Sequence, residues 1–246
     1  MTLHMGEDGY LGSEIKAWIN KFREEHKAFF LLAEDYNRFC HLSMSEIDAH
    51  NKDIQEILVV SLYIRSLNNF QSVIILCERG MMPETRIMAR AMLEVTFILC
   101  AIVKDPQLAN DFVNEDQEKR ITYIKKLRQL QRERPDNTEM LKIDAMEKEL
   151  EENIEKIDIY ERTTKEWAEK AGLLKLYLTA YTIFSSSVHA KISDLEQSVI
   201  VSEQDEIKGF NWRPDDFEMD SVLSTAIEVI LVGLHATMTL FNLSKD

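Results

Sequence analysis

Chain-breaking residues are scarce in this sequence, which has only 7 glycines and 4 prolines among its 246 residues. These two residue types together make up about 12 % of an average protein, so fewer than half the usual number are present. A β-sandwich or barrel needs a turn every ~8–12 residues, and a doubly wound α/β fold needs glycine-rich turns. The scarcity argues against both and predicts an all-α fold, an up-down bundle of about seven helices.

Seven of these residues mark boundaries between segments of helical periodicity. They are Gly12, Gly80, Pro83, Pro106, Pro135, Gly172 and Pro214. The helices expected between them cover residues 13–39, 45–79, 83–103, 106–134, 137–170, 173–188 and 219–243. Ser13, and Ser45 with Asp48, are candidate N-terminal caps of the first two helices. Residues 199–201 and 207–212 fit either a small β-hairpin or a plain loop. We expect one helical domain over residues 1–246.

Charged residues divide the chain into an apolar part and a charged part. Residues 54–103 carry eight charged side chains in 50 positions, whereas residues 105–170 carry 31 in 66. The second and third helices should therefore be central in the bundle. Residues 107–170 should form a protruding antiparallel helical hairpin with a coiled-coil-like seam, suited to homodimerisation or to docking a partner protein. The seam consists of Ile143, Met146, Leu150, Ile157 and Tyr160.

Charge and composition disfavour several classes of partner. The net charge is −14, from 29 basic and 43 acidic residues. A strongly acidic surface repels phosphate, so nucleic acids and anionic membranes are unfavourable partners. Residues 1–13 lack the apolar region of a signal peptide, and the apolar segment 221–244 should be a core helix because it contains Glu228 and His235. The three cysteines show no paired spacing, which indicates buried free thiols in a reducing cytoplasm.

Familiar catalytic and cofactor motifs are absent from the sequence. It contains no GxxxxGK(S/T), GxGxxG, GxSxG or HExxH, the patterns that mark phosphate loops, dinucleotide sites, nucleophile elbows and zinc proteases. It also lacks the repeated Glu-x-x-His of di-metal bundles. We therefore expect neither a metal ion nor a cofactor.

Three apolar helices each carry polar residues at four-residue spacing, which places them on one face. They are Ser61, Arg65 and Asn69 on the second helix; Arg86, Arg90 and Glu94 on the third; and Tyr177, Tyr181, Ser185 and His189 on the sixth. Some of these charges share their side of the helix with large apolar residues, where an unpaired charge is costly to bury. Three interpretations remain open: a buried structural network that fixes helix register, a ligand pocket, or exposure on a groove.

The pocket interpretation assigns each of these residue types a chemical role. Arginine binds phosphate or carboxylate through two hydrogen bonds, so a small anionic ligand would contact a set of six side chains. The set is Arg65, Asn69, Arg86, Arg90, Tyr181 and Ser185. In the catalytic version His189 is the acid or base and Glu94 orients it, giving a metal-independent nuclease or phosphotransfer enzyme. In the binding version the protein is a cytoplasmic regulatory, stress or defence protein.

The same residues carry a resemblance to known proteins. Arg65-Ser66, Gly80, Arg86-x3-Arg90-x3-Glu94 and Tyr181-x3-Ser185-x3-His189 together resemble a large family of uncharacterised prokaryotic proteins, a domain of unknown function. The resemblance covers residues 58–101 and 167–240 and implies an all-helical fold with no assigned activity. More loosely, the pattern is similar to HEPN-type bundles, which include metal-independent RNases and nucleotide-binding proteins. Their RNase signature, an arginine followed four to six residues later by histidine, is absent here.

Overall fold

The computed structural model of the protein describes residues 7–133, 144–145, 148, 160–189 and 191–243. The described chain is predominantly helical, which confirms the all-α prediction. The helices are α1 (Ile15–Glu25), α2 (Lys27–Met44), α3 (Ile54–Glu78), α4 (Met82–Lys104), α5 (Gln107–Glu133), α6 (Thr164–Ala171), α7 (Leu174–Leu176), α8 (Thr182–Val188), α9 (Ile192–Leu195) and α10 (Met219–Leu240). A π-helical turn, Tyr177–Tyr181, joins α7 to α8.

The chain forms two compact units, residues 1–104 with 164–246, and residues 105–163. In the first unit α4 is central, because α3, α6, α8 and α10 all pack against it. Its core contains Tyr63, Phe70 and Phe97, none of which has exposed surface. A Cβ at Gly233 of α10 would lie 3.8 Å from Tyr63 and 3.9 Å from Thr96, which places α10 against α3 and α4 at this point. The low charge of residues 54–103 is thus the signature of a helix pair buried at the centre of this unit.

The second unit contains α5, whose surface carries ion pairs at helical spacing, such as Glu115–Lys119 at 2.8 Å and Asp116–Arg120 at 2.7 Å. Arg162 pairs with Asp111 of the same unit at 2.6 Å. Of the predicted coiled-coil seam, Tyr160 is exposed, and the other four residues lie outside the described part of the chain.

Several predicted helix boundaries are wrong, and for two of them the structure shows a local reason. The first predicted helix is two helices, because the backbone leaves the helical conformation at His26. The second begins at Ile54 rather than near Ser45 or Asp48, since the Asp53 side chain accepts the Glu56 N–H at 3.0 Å and caps the helix there. The predicted helix that reaches residue 170 is interrupted over residues 160–163, where no glycine or proline signals the break.

Residues 199–210 form the small β-hairpin rather than the plain loop. Strand β1 (Val199–Val201) pairs antiparallel with β2 (Ile207–Phe210), and Ile200 lies opposite Gly209. A bulge interrupts the register between the two ends of the ribbon. Within the described ranges the sheet has only these two strands, so each strand has one edge without a neighbouring strand there.

Helices α3 and α10 are long and apolar enough to cross a membrane when judged by length and composition alone. Buried core helices share these properties. Both helices contribute residues to the core of the first unit, among them Phe70 and Val73 from α3 and Leu223 and Ile230 from α10. About half of the most apolar stretch of each is buried within the protein.

Gly80 fixes the connection between the bundle and the segment before α10. Its φ of +68° is in the left-handed region, which favours glycine. A Cβ at this position would lie 2.7 Å from Pro214 Cβ and 2.9 Å from the backbone of Asp215. The Asp215 N–H donates a hydrogen bond to the Gly80 carbonyl at 3.1 Å. Gly80 is therefore required both for its conformation and for this close approach.

Replacing Gly80 by alanine should lower the free energy of unfolding by about 2–4 kcal/mol, because left-handed strain and a backbone collision add. Gly9→Ala is the matched control: Gly9 also has positive φ, +54°, but nothing lies within 4 Å of its Cβ position. The control should lose only about 1 kcal/mol. Urea denaturation measures both, and equal losses would contradict the collision.

Candidate functional site

The Arg86 cluster consists of Arg86 and four side chains that follow α7 in the chain: Ser187, Asp194, Gln197 and Glu218. The guanidinium Nε donates to Ser187 Oγ at 2.9 Å, and Nη2 donates to Asp194 Oδ1 at 3.2 Å and Gln197 Oε1 at 2.8 Å. Ser187 Oγ also donates to Asp194 Oδ1 at 2.6 Å. Nη1 lies 3.8 Å from Glu218 Oε2. One arginine thus joins α4 to α8, α9 and the start of α10.

Because the Arg86 guanidinium is buried, its charge must be paired with an acidic group of the protein. Arg86 is 1 % exposed and Asp194 8 % exposed. A buried charge is tolerated only with a paired opposite charge and hydrogen bonds for its remaining polar atoms. Arg86 lies in the first turns of α4, one turn after Pro83, so it points to the end of the bundle where these segments meet. The hydrogen bonds of Nε and Nη2 go to side chains of the protein itself, which fits the structural-network interpretation, while Nη1 is buried without a hydrogen-bond partner in the described structure.

The Arg90 cluster lies one helical turn further along α4 and consists of Arg90, Glu94 and Tyr181. Arg90 Nη2 donates to Tyr181 OH at 2.8 Å and lies 2.9 Å from Glu94 Oε1. Tyr181 OH donates to Glu94 Oε1 at 2.8 Å. The guanidinium carbon also lies 4.9 Å from the centre of the Tyr181 ring, a cation–π contact. Arg90 and Glu94 remain partly exposed, so solvent reaches this cluster.

One nitrogen of the Arg90 cluster is unused. Arg90 Nε is buried and has no hydrogen-bond partner within the described ranges. Tyr177 stacks on Tyr181 with ring centres 5.0 Å apart and holds the phenol in place. The cluster therefore holds a fixed, partly solvated guanidinium whose buried Nε has no partner among the described residues.

The other predicted site residues lie outside both clusters. Arg65 is exposed on α3, and Asn69 is buried with an Nδ2 that lacks a hydrogen-bond partner in the described structure. Ser185 Oγ donates to the backbone carbonyl of Tyr181 at 2.7 Å. His189 follows the last residue of α8, and its side chain is exposed. The three stripes thus do not meet in one pocket.

The sequence pattern missed four residues of the Arg86 cluster, all but the arginine itself. On α8 the four-residue spacing selected Ser185, whereas Ser187 contacts Arg86. Ser185 instead donates its hydroxyl to the Tyr181 carbonyl of its own helix at 2.7 Å, a local bond that spacing does not reveal. In the π-helical turn before α8, Thr182 Oγ1 bonds back five residues to the Tyr177 carbonyl at 2.9 Å. Asp194, Gln197 and Glu218 come from short elements without helical periodicity, where no spacing rule applies.

The segment held by Arg86 exposes many large apolar side chains, which we call the apolar hairpin surface. It consists of Ile192, Leu195, Ile200, Val201, Ile207, Phe210, Trp212 and Phe217. Trp212 is 70 % exposed and Ile192 75 %. Ile200 and Val201 are neighbours on one strand, so their side chains point to opposite faces, and the described part of the chain leaves both residues exposed.

Titratable groups in this region give no indication of a metal site. The described residues contain no group of three or more histidine, cysteine, aspartate and glutamate side chains placed to hold a metal ion. Burial raises the pKa of the Asp215 carboxyl, although the Phe217 N–H and the charge of Arg86 act in the opposite direction. Asp215 is thus a partly buried acid at the base of the apolar hairpin surface.

Arg86→Leu should lower the free energy of unfolding by about 3–5 kcal/mol, because it leaves the Asp194 carboxylate buried and unpaired. Arg65→Leu is the matched control on an exposed arginine and should change stability by about 0.5 kcal/mol or less. The double variant Arg86→Leu/Asp194→Leu should recover part of the loss. Urea denaturation measures all three, and a loss for Arg86→Leu no larger than the control would refute the buried pair.

Comparison with known proteins gives a family and no activity. No curated protein and no solved structure matches the chain. A model of one protein family, described as a family of unknown function, matches residues 56–207. The match includes Arg86, Arg90, Glu94 and Tyr181, and it spans more than half of the sequence. The chain therefore belongs to DUF5677, a family of unknown function.

Proposed function

We propose that this protein is a cytoplasmic interaction module that binds an extended segment of a partner protein at the apolar hairpin surface. The observation that carries the proposal is the exposure of eight large apolar side chains on one segment, residues 192–217, that the buried Arg86 fastens to the bundle. Exposed large apolar residues gathered on one short segment, here on both faces of the ribbon, indicate an interaction site, whereas scattered single ones do not.

The hairpin has the properties of an acceptor for an added strand. A two-stranded ribbon is marginally stable alone, and each of its strands has an edge with unpaired backbone groups. An extended peptide can satisfy those groups and cover the apolar side chains at once. Arg86 and Gly80 hold the two ends of the segment, so little conformational entropy remains to be lost on binding.

The charge around the hairpin specifies the chemistry of the partner. Residues 188–218 contain eight acidic and three basic side chains. An apolar strand flanked by lysine or arginine would complement this surface and be steered to it, while an acidic strand would be repelled. A second copy of the chain is a poor occupant for the same reason, because pairing two such segments brings like charges together.

Trp212 allows a direct binding test with synthetic peptides of nine alternating valine and lysine residues. Binding should shift its emission to shorter wavelength, because a 70 % exposed indole becomes covered. We expect the basic peptide to bind about tenfold more tightly than a valine–glutamate peptide at low salt. High salt should reduce the difference. A proline in the middle of the basic peptide should weaken binding, because proline cannot donate to a ladder.

A pair of variants distinguishes peptide binding at the hairpin from nonspecific adsorption to exposed apolar residues. Ile207→Asn should weaken binding of the basic peptide, whereas Leu42→Asn, at an equally exposed residue of α2, should not. Trp212→Phe should remove the emission shift without removing binding measured by calorimetry. Equal affinity for the acidic and basic peptides would refute the proposal. So would a concentration-dependent dimer that Ile207→Asn abolishes, because the occupant would then be a second copy.

A second candidate function is binding of a small anion at the Arg90 cluster. The observation that favours it is the buried Arg90 Nε without a partner in the described structure, on a side chain that solvent still reaches. An incoming carboxylate or phosphate oxygen could accept this hydrogen bond while Tyr181 and Glu94 keep the guanidinium oriented. The site would then discriminate by geometry as well as by charge.

Melting temperatures in a panel of phosphate, pyrophosphate, nucleotides and dicarboxylates would test this candidate. A ligand at one hundred times its Kd should stabilise the native state by about 2.7 kcal/mol. Arg90→Lys should abolish the shift, because lysine keeps the charge but loses the fixed fork of donors. Arg65→Lys is the exposed control. The absence of any shift across the panel would eliminate this candidate.

Two other predictions have no observation in their favour. A nuclease or phosphotransfer mechanism needs His189 and an arginine in one cleft, but Arg86 is sealed and hydrogen-bonded to side chains of the protein itself. Dimerisation or docking through residues 107–170 rests on a seam that lies mostly outside the described chain. Both stay predictions from the sequence.

A further inference from the structure

A groove of about 560 Å³ lies on the first unit between the C-terminal half of α4, the end of α6 and α10. We call it the Lys104 groove. Its walls are mostly apolar: Cys100, Val103, Ala171, Leu173, Leu231, Val232 and Ala236. Volume and lining match the pockets that bind small molecules, which are typically ~300–1,000 Å³ and apolar with a few placed polar groups. The groove is remote in sequence from the apolar hairpin surface and independent of the function proposed for that surface.

Lys104 supplies a fixed positive charge at this groove. Its Nζ donates a hydrogen bond to the Ala171 carbonyl at the end of α6, and an ammonium group has two further N–H donors. Gly172 permits this position, because it adopts a φ of +73° and a Cβ there would lie 2.6 Å from Nζ. The ammonium is therefore held at the groove rather than free to swing through solvent.

The remaining polar groups divide the groove into two ends. Glu228 and His235 are seven residues apart on α10, which places them on one face and about 10 Å apart along the helix. Helices α4 and α10 run in the same direction, since Arg86 is near Glu218 and Thr96 is near Gly233. Lys104 therefore lies at the His235 end, and the Glu228 carboxylate lies at the other.

We propose that the Lys104 groove binds a monocarboxylate with an unbranched apolar chain, such as a medium-chain fatty acid. The carboxylate would accept hydrogen bonds from Lys104 at the His235 end, and the chain would lie along Leu231, Val232 and Leu173. The opposite charges at the two ends of the groove favour a monocarboxylate. Lys104 attracts the one carboxylate at its end, and Glu228 would repel a second carboxylate at the other end. A dicarboxylate or an alkylamine placed in the same orientation is therefore disfavoured.

Calorimetric titration of the full-length protein with saturated fatty acids from six to fourteen carbons, below their micelle concentrations, tests the proposal. Each added methylene should tighten binding about fourfold, corresponding to about 0.8 kcal/mol, until the groove is full. Primary alcohols of the same lengths should bind about tenfold more weakly or worse, because they lack the charged head. Alkyl dicarboxylates should bind more weakly than monocarboxylates of equal length.

Lys104→Met removes the charge and keeps the apolar stem, and it should weaken fatty-acid binding about tenfold while leaving alcohol binding unchanged. Lys175→Met is the matched control, an exposed lysine that lines a different cavity. Leu231→Trp, toward the Glu228 end of the groove, should shorten the longest chain that still gains affinity. Equal affinity of acids and alcohols, or an unchanged affinity in Lys104→Met, would overturn the proposal, as would the absence of binding. Ile207→Asn should bind fatty acid normally, which separates this site from the hairpin.

Discussion

The buried guanidinium of Arg86 is the constraint on which one end of the structure depends. A charge with 1 % of its surface exposed cannot obtain hydrogen bonds from solvent. The acceptors come instead from Ser187, Asp194 and Gln197, with Glu218 nearby. The path of the chain from α8 to α10 is thereby fixed. A buried ion pair adds little net stability compared with an apolar core, but it penalises every arrangement in which these segments lie elsewhere.

The same constraint explains why a small, poorly covered hairpin can persist. Ribbons of two strands do not hold their shape alone, and the exposed Ile207 and Trp212 contribute little packing within the described protein. Order at the base of the hairpin comes from Arg86 on one side and from the Gly80–Asp215 backbone contact on the other. A surface that is fixed at its ends and uncovered on its faces is typical of a preorganised binding element.

Four-residue spacing predicted one contact well and missed others for a clear reason. It placed Arg90 and Glu94 on one face and selected Tyr181, and these three side chains do meet. Spacing shows which residues share a face but not what that face contacts, so Arg65 is on the surface instead. On α8 the selected Ser185 bonds back to its own helix, whereas Ser187 contacts Arg86 and His189 is exposed. Glycine and proline likewise located α4 but not the breaks at His26 and residues 160–163.

Helix α4 connects the apolar hairpin surface and the Lys104 groove, for each of which a ligand is proposed. Arg86 and Lys104 are 18 residues apart, which corresponds to about 27 Å along a continuous helix. Between them α4 is packed against α3 and α10 through fully buried side chains such as Leu93 and Phe97. A close-packed helix of this kind resists small deformations, and neither proposed ligand would need it to move. Coupling over such a distance requires an element with two discrete arrangements. The tightly packed core around α4 has a single arrangement in this structure, so occupation of one surface should leave the affinity of the other unchanged.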